Sequence, residues 1–231
     1  MFAFQQFTIH QDRCAMKVGV DSVLLGAAAD LPSFCYHALD IGTGTGLLAL
    51  MLAQRLPLCD IDAVELNVDA ANQAAENVAA SPFADQVRVH QGRIQDFRPK
   101  QSYDLIICNP PYFTNGVPSS NPARQQARHT DTLSSIDLLT AVTRLLNPTG
   151  IFWVILPFDQ HISFVRTASA YHLKPSKQVR IHPRPEKPPN RLLLRFERIS
   201  KQISVEHLNV RDTAGQAFSK QFQQLTSEFY L

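Results

Sequence analysis

The stretch that decides the fold is residues 36–55. It begins with Tyr36-His-Ala-Leu-Asp-Ile41, continues through the turn Gly42-Thr-Gly-Thr-Gly46 and ends with Leu47-Leu-Ala-Leu-Met-Leu-Ala-Gln-Arg55. An apolar run, a glycine-rich turn and apolar residues at helical period are typical of a buried strand that leads into a helix. Glycines have no Cβ, so they permit a tight turn and let a ligand approach the backbone. We therefore predict a strand, a turn and a helix, with a nucleotide-like ligand at the turn.

Apolar strands and helical segments alternate along the rest of the chain. This alternation predicts an α/β, Rossmann-like, doubly wound sheet of seven mostly parallel strands. Two of these strands, 178–182 and 191–197, are joined by residues 183–190, which are too few for a crossover helix, so we expect an antiparallel hairpin at one sheet edge. The other predicted elements are strands 61–66, 87–90, 103–108 and 151–156 and helices 67–80, 136–146 and 158–171.

Length and composition are those of an ordinary globular protein. The 231 residues are 45% hydrophobic and 18% charged, which suits one large domain. No apolar run is long enough to cross a bilayer and no secretion signal is visible at the start, so we expect a cytoplasmic protein that does not bind membranes. The four cysteines are scattered without metal-ligand spacing, which predicts no metal site. Cys108 ends an aliphatic strand, where a buried thiol is expected rather than a nucleophile.

Positive charge is concentrated in one part of the chain. Residues 174–201 contain nine Lys or Arg and two Glu, a net charge of +7, whereas the whole chain carries only +2. A basic face of this kind is typical of proteins that bind nucleic acid. A solvated hairpin with charges directed outward would have the same composition.

Two acidic residues bear on the ligand at the glycine turn. Glu65 ends the next strand, nineteen residues after Gly46, where a carboxylate can accept hydrogen bonds from both ribose hydroxyls of an adenosine. Asp40 at the entrance of the turn would repel a pyrophosphate but can bind the ammonium group of a methionine moiety. These residues favour S-adenosylmethionine over a nicotinamide dinucleotide.

A second motif, Asn109-Pro-Pro-Tyr112, directly follows the apolar strand 103–108. The two prolines make the backbone rigid. The side-chain oxygen of Asn109 and the carbonyl of Pro110 can then accept both hydrogens of a planar –NH2 group, while Tyr112 offers a flat face for stacking. The motif therefore predicts methyl transfer to the nitrogen of an amide or of an exocyclic amine.

The residues after this motif suit a base that is turned out of its stack. Tyr112 and Phe113 form an aromatic pair beside the polar acceptors. Residues 114–132 have the composition of a mobile flap, and their basic side chains can contact phosphates, although a solvated loop has the same composition. The candidate substrate contacts there are Arg124, Arg128 and His129.

The chain resembles the bacterial tRNA(Val) adenine-N6 methyltransferases, class I S-adenosylmethionine-dependent enzymes that modify the adenine 3′ of the anticodon, position 37. The likeness runs nearly end to end. It is carried by His10-Gln-Asp-Arg-Cys-Ala-Met-Lys-Val-Gly-Val-Asp21, Leu47 to Arg55, Ile61-Asp-Ala-Val-Glu-Leu66, Asn109 to Tyr112, Gln126-Ala-Arg128 and Glu228-Phe-Tyr-Leu231.

The resemblance implies one methyltransferase domain over residues 1–231, with a cofactor-closing segment at 1–34, a core at 35–200 and an extension at 201–231. It implies catalytic roles for Asn109, Pro110 and Tyr112. It implies cofactor contacts by Asp40, Gly42, Gly44 and Glu65, with Lys17 and Asp21 closing the pocket; the other candidate cofactor contacts, by their place in the chain, are Gly46, Leu66, Arg93, Ile94 and Asp96. The candidate substrate contacts, taken from the residues around the motif and from the basic stretch, are Pro111, Phe113, Arg124, Arg128, His129, Arg184, Lys187 and Arg191.

One position departs from the family pattern. Many relatives have an acidic residue after the third strand that binds the adenine amine of the cofactor, but this chain has Arg93, which cannot accept that bond. Asp96 or a backbone carbonyl is left to take the role. The implied partner is tRNA, the implied product of the cofactor is S-adenosylhomocysteine, and a monomer or weak homodimer is expected.

Two other functions remain open on the sequence alone. The motif Asn109-Pro-Pro-Tyr112 also suits glutamine-N5 methyltransferases that act on release factors or ribosomal proteins, and other amino methylases of DNA or RNA. A nucleic-acid-binding module that has lost turnover is the third reading, although Asp40, Glu65 and Asn109 are all present.

Overall fold

A large mixed sheet forms the centre of the protein. The computed structural model of the chain describes residues 1–14, 17–111, 133–199 and 202–230. The strands are β1 (Phe2–Ala3), β2 (Thr8–Ile9), β3 (His37–Ile41), β4 (Asp60–Glu65), β5 (Val87–Gln91), β6 (Tyr103–Cys108), β7 (Leu146–Pro157), β8 (Lys174–His182), β9 (Arg191–Glu197) and β10 (Ser204–Asn209). The helices are α1 (Val20–Ala28), α2 (Leu47–Arg55), α3 (Val68–Ala79), α4 (Ser135–Leu145), α5 (His161–Ala170, after the 3₁₀ turn Phe158–Gln160) and α6 (Lys220–Thr226).

Within the described residues the main sheet has eight strands in the order β10-β8-β9-β7-β6-β3-β4-β5. Strands β3 to β7 are parallel, and β9 is antiparallel to both β7 and β8. The doubly wound α/β class is confirmed. The predicted seven strands with the hairpin at the edge need one correction, because β10 pairs with β8 and covers it. Only Leu208 of β10 is buried, so its sequence carries no clear alternation of apolar and polar residues.

The sheet is buried on both faces, as parallel sheets usually are. Along β6, Leu105 and Ile107 face one apolar cluster while Ile106 and Cys108 face the other. The first cluster includes α1, α2 and α6, and the second includes α4 and α5. Cys108 is fully buried, so the prediction of a buried cysteine is confirmed, and burial raises the pKa of its thiol well above the ordinary value.

Residues near the amino terminus pack against residues 227–230 of the described chain. The backbone N–H of Gln5 donates to the carbonyl of Phe229 at 2.9 Å, and its side chain donates to the carbonyl of Ser227 at 2.7 Å. The rings of Phe4 and Tyr230 stack with centroids 5.9 Å apart. These contacts attach the amino-terminal residues to the extension after β10.

Candidate functional site

A cavity of about 900 Å³ lies at the carboxyl ends of β3, β4 and β6, where the doubly wound fold places its ligands. Residues 17–22, which lead into α1, form another part of its wall. Both sequence motifs meet here, although Gly46 and Asn109 are 63 positions apart in the chain. The predicted site residues that line it are Lys17, Asp21, Gly42, Gly44, Glu65, Leu66, Arg93, Ile94, Asn109, Pro110 and Pro111.

The glycine turn presents bare backbone to this cavity. Gly42 and Gly44 have φ of +72° and +56°, and a Cβ added at either would meet no atom within 4 Å, so a side chain there would occupy the cavity. Gly46 differs from these two glycines because it packs against α3. A Cβ added to it would lie 3.4 Å from the Cβ of Ala74. The structure thus places Gly46 at a helix contact and outside the cavity lining.

Asp40 lies beneath the turn and is completely buried. Its Oδ2 accepts a hydrogen bond from the Thr43 hydroxyl at 2.5 Å, and its Oδ1 has no hydrogen-bond partner among the described residues. Burial raises the pKa of Asp40 to about 7; the Thr43 hydroxyl opposes this rise and the charge of Glu65 adds to it. A buried carboxylate oxygen without a partner is stabilised by a cationic ligand group.

Glu65 connects the turn to α3. Its Oε2 accepts from the Gly44 N–H and its Oε1 from the Asn67 N–H, both at 2.9 Å. These bonds fix the carboxylate at the cavity wall. Each oxygen keeps a lone pair that can accept from a ligand hydroxyl.

The loop after β5 contains the position that departs from the family pattern. Arg93, Ile94 and Gln95 line the cavity, whereas Asp96 is exposed and lies outside the lining. The amide of Gln95 is the side chain of this loop that can both accept and donate a hydrogen bond there. The sequence did not single out Gln95, because the family pattern in this loop predicts a carboxylate and not an amide.

Asn109 follows β6 and is anchored by a residue from the amino-terminal part of the chain. Its Nδ2 donates to the hydroxyl oxygen of Ser22, on the first turn of α1, at 2.8 Å. Because the amide nitrogen is held in this way, the side-chain oxygen of Asn109 remains as the acceptor. Pro110 behind it is buried, and Pro111 is exposed at the cavity.

We expect Ser22 to act as a positioning residue for Asn109. Replacing it with alanine leaves the amide nitrogen without its partner, which costs about 1 kcal/mol and lets the amide rotate. Ser22→Ala should therefore lower kcat about five- to tenfold and leave the Kd of S-adenosylmethionine unchanged. Ser22→Thr keeps the hydroxyl and should restore kcat. An Ala variant with wild-type kcat would remove Ser22 from this role.

The residues before α1 and in its first turn are hydrogen-bonded to several other parts of the fold. Asp21 accepts from the guanidinium of Arg191 at 2.9 Å, and the Val18 N–H donates to the side chain of Gln11 at 2.7 Å. The buried side chain of Asn77 donates to the carbonyls of His10 and Thr45 at 2.8 and 2.9 Å. Asn77 thereby ties the start of the chain to the glycine turn.

The remaining predicted site residues fall into two groups. Arg184 and Lys187 lie at a separate cavity beyond Arg191. Another group lies outside the described residues: Tyr112, Phe113, Arg124, Arg128 and His129, with the flap predicted at 114–132.

Within the described ranges, the helices are too short or too polar to span a lipid bilayer. Over the same ranges, His, Cys, Asp and Glu side chains form no group of three that would hold a metal ion.

Comparison with known proteins defines the class first. A solved structure described as a predicted O-methyltransferase from Agrobacterium tumefaciens matches with a TM-score of 0.68 at 19% identity, covering 90% of this chain and 96% of that one. This similarity concerns the fold. Residues 20–165 match the model of the methyltransferase small domain family. The fold and the site therefore define a methyltransferase.

Relatives that match along the whole of this chain narrow the assignment. The tRNA1(Val) (adenine(37)-N6)-methyltransferase of Parabacteroides distasonis is 43% identical, covering 100% of this chain and 97% of the relative. The protein of that name from Pectobacterium carotovorum subsp. carotovorum is 45% identical, covering 100% and 93%. The chain belongs to the tRNA1(Val) (adenine(37)-N6)-methyltransferase family.

The methyl donor of this class is S-adenosylmethionine, and the residues present fit it. The unpaired Oδ1 of Asp40 suits an ammonium group. The open backbone at Gly42 and Gly44 leaves room for a ligand against the turn. The fixed carboxylate of Glu65 suits a pair of ribose hydroxyls.

Proposed function

We propose that this protein transfers a methyl group from S-adenosylmethionine to N6 of adenine 37 in tRNA1(Val). The observation that carries the proposal is the anchored amide of Asn109, whose nitrogen is bound by Ser22 and whose oxygen is left to accept from a substrate amine. The names of the relatives supply the nucleotide and the tRNA. S-adenosylhomocysteine is the second product.

The exocyclic amine of adenine is a poor nucleophile, because its lone pair is delocalised into the ring. In our proposal, the oxygen of Asn109 and the carbonyl of Pro110 accept its two hydrogens, which stabilises positive charge on the nitrogen and directs the lone pair at the methyl donor. When bound, the cofactor supplies an electrophilic methyl group on a sulfonium. No strong base is needed, because the methylated ammonium is acidic enough to lose its proton after transfer.

The proposed cofactor contacts follow from the geometry of the cavity. Gly42 and Gly44 would lie along the ligand with their backbone, and Glu65 would accept from the ribose hydroxyls. Asp40 is buried beneath the turn and outside the cavity lining, and it would hold the ammonium group through its unpaired Oδ1. Lys17 and Asp21 would close the cavity from the amino-terminal side. The proposed role of Tyr112 is to stack on the adenine, and that of Phe113 is to support it; both remain predictions from the sequence.

We propose Gln95 as the residue that reads the adenine of the cofactor in place of an acidic side chain. A Gln amide can accept from the adenine amine and donate to a ring nitrogen. Gln95→Ala should weaken S-adenosylmethionine binding about tenfold in calorimetry. Asp96→Ala is the matched control, and its affinity should stay at the wild-type value. The reverse pattern would return the role to Asp96.

The proposed reaction is tested with tRNA from cells that lack the protein. The purified enzyme and S-adenosylmethionine are incubated with this tRNA, and the modified nucleoside is mapped by mass spectrometry. N6-methyladenosine at position 37 of tRNA1(Val) is the expected result. Methyl-glutamine on a release factor or ribosomal protein, with no methylated adenosine, would instead support the glutamine-N5 alternative, which uses the same kind of amide clamp.

The wider setting is also part of the proposal. We infer that residues 1–231 work as one catalytic unit, since residues 1–14 pack against the extension after β10 and residues 17–22 complete the cavity. A tRNA-modifying role suits the cytoplasm. A monomer or weak homodimer is the expected state, and sedimentation over a range of concentrations measures it.

A further inference from the structure

A second cavity, of about 500 Å³, lies between residues 183–190 and the loop that follows β10. Three cationic residues line it, Arg184 and Lys187 from the connector and Arg211 from the carboxyl-terminal extension. No carboxylate belongs to its lining within the described residues. The other described residues that line it are Pro183, Pro188, Asn190 and Gly215.

Two acidic residues, Glu186 and Asp212, lie near this positive charge and offset part of it. The closest oxygen of Glu186 is 4.0 Å from Nε of Arg184, and both side chains are about half exposed, so solvent screens the pair. Asp212 accepts from the Gln216 N–H within its own loop at 3.1 Å, which leaves its negative charge in place. Neither carboxylate belongs to the described lining, and the three cations outnumber the two acids, so the cavity keeps a positive charge that attracts an anion.

Arg211 is held in place before any ligand arrives. Its guanidinium lies over the ring of Phe218, 4.6 Å from the centroid, and donates to the carbonyl of Gln216 at 3.0 Å. The backbone N–H of Arg211 donates to the carbonyl of Pro183 at 3.0 Å, which joins the extension to the connector. A preorganised guanidinium loses little entropy when it binds an oxyanion.

Gly215 lies beside the second guanidinium. A Cβ added there would lie 3.5 Å from Nη1 of Arg184, an ordinary van der Waals contact. Its φ of +75°, a conformation that other residues rarely adopt, is what favours glycine at this position. The loop after β10 thus shapes the cavity as well as contributing Arg211.

Both cavities lie at the same end of the sheet, the end at which its parallel strands finish. Strand β9 runs opposite to its neighbours, so its first residue, Arg191, pairs with Pro157 at the end of β7 and with Ile181 near the end of β8. Asn209 at the end of β10 pairs with His182. These positions lie at the carboxyl ends of the parallel strands, where Asn109 also lies.

Residues 190 and 191 link the two cavities directly. Asn190 lines the basic cavity, and the next residue, Arg191, pairs with Asp21 in the wall of the catalytic cavity. A nucleic-acid chain whose target base enters the catalytic cavity would continue past this point along the same edge. Its next charged groups are phosphates.

We propose that the cavity formed by Arg184, Lys187 and Arg211 binds a backbone phosphate of the tRNA close to the target nucleotide. The proposal rests on the proposed function and adds to it a site built partly from the carboxyl-terminal extension. Guanidinium groups bind phosphate oxygens through paired hydrogen bonds, and the lysine adds a point charge. Such contacts fix the position of the RNA without reading its sequence.

The test compares three single variants with wild-type enzyme. Arg211→Gln and Lys187→Gln each remove one charge from the cavity, and Lys187 is exposed, so its replacement does not disturb packing. Lys174→Gln is the matched control, because Lys174 is exposed at the start of β8, at the opposite end of that strand from the basic cavity. Circular dichroism and calorimetry with S-adenosylmethionine confirm that each variant is folded and binds cofactor.

Filter binding to tRNA at several salt concentrations gives the readout. Each cavity variant should raise the Kd for tRNA about tenfold. It should also lower the slope of log Kd against log salt concentration by about 1, the change expected when one phosphate contact is lost. The control should leave both unchanged. Wild-type affinity and slope in Lys187→Gln and in folded Arg211→Gln would overturn the phosphate site.

The outcome is separable from that of the proposed function. If wild-type enzyme methylates adenine 37 and both cavity variants bind tRNA normally, the phosphate site is wrong and the proposed function stands. If wild-type enzyme forms no N6-methyladenosine but the cavity variants lose tRNA affinity and salt dependence, the phosphate site stands and the reaction is wrong.

Discussion

Replacing Asn109 with alanine is expected to lower kcat by about a hundred- to a thousandfold, the usual effect of removing one hydrogen-bonding group that stabilises transition-state charge. In the proposed mechanism the amide oxygen of Asn109 accepts from the adenine amine as charge develops on the nitrogen. The residue contacts Ser22 and follows β6, and none of the predicted cofactor contacts bonds to its side chain. The Kd of S-adenosylmethionine should therefore stay within about twofold of wild type.

Single-turnover kinetics with tRNA and calorimetry with cofactor separate these two effects. Asn147→Ala is a matched control, since it removes the same amide group from a residue that donates to Asp104 near the start of β6. Its kcat should be unchanged. A large loss of cofactor affinity in Asn109→Ala, with kcat preserved, would mean that Asn109 holds the cofactor and not the amine.

Replacing Asp40 with asparagine is expected to weaken S-adenosylmethionine binding about ten- to a hundredfold at pH 8, because a charge-assisted hydrogen bond to the ammonium group is lost. In the wild type, burial raises the pKa of Asp40 from 3.8 to about 7. An ammonium group binds the ionised carboxylate, so wild-type affinity should rise as the pH increases from 6 to 8. The Asn variant should lack this part of the pH dependence.

The same group makes folding depend on pH in the absence of cofactor. The folded state binds the Asp40 proton more tightly than the unfolded state, so the contribution of this group to stability is fully present below pH 3.8 and is lost as the pH rises through 7. The fall due to this group is at most about 4 kcal/mol. The difference in the free energy of unfolding between wild type and Asp40→Asn should therefore change with pH in urea titrations. A constant difference from pH 4.5 to 8 would contradict the buried, protonated carboxyl.

The sequence was sufficient for the parts of the site that depend on consecutive residues. The turn Gly42 to Gly46 and the motif that begins at Asn109 each carry their geometry locally, through glycines in one case and prolines in the other. The parallel order of strands then places both at the same edge of the sheet. This is why the fold class could be predicted, and why both motifs line one cavity in the structure.

The parts that could not be predicted depend on pairs of residues far apart in the chain. Ser22 and Asn109 are 87 positions apart, and Asp21 and Arg191 are 170 positions apart. Strand β10 is almost entirely exposed, so no hydrophobic alternation marks it. Because the sequence does not predict β10, it does not place the carboxyl-terminal extension beside residues 183–190. Nothing in the sequence therefore indicates that Arg211 lies near Arg184 and Lys187.

Arg191 takes part in an ion pair that the local charge pattern does not reveal. The sequence predicts an RNA contact because it lies in the basic stretch 174–201. In the structure its guanidinium pairs with Asp21 at the wall of the catalytic cavity. Its role in RNA binding stays a prediction, whereas Arg184 and Lys187 do line a cationic cavity.

A structure of the enzyme with S-adenosylhomocysteine and an anticodon stem-loop that contains adenine 37 tests the central claim most directly. The account predicts N6 of that adenine within about 3.2 Å of both the side-chain oxygen of Asn109 and the carbonyl oxygen of Pro110, on the side facing the cofactor sulfur. An adenine amine bound elsewhere, or a cofactor sulfur directed away from Asn109, would contradict it.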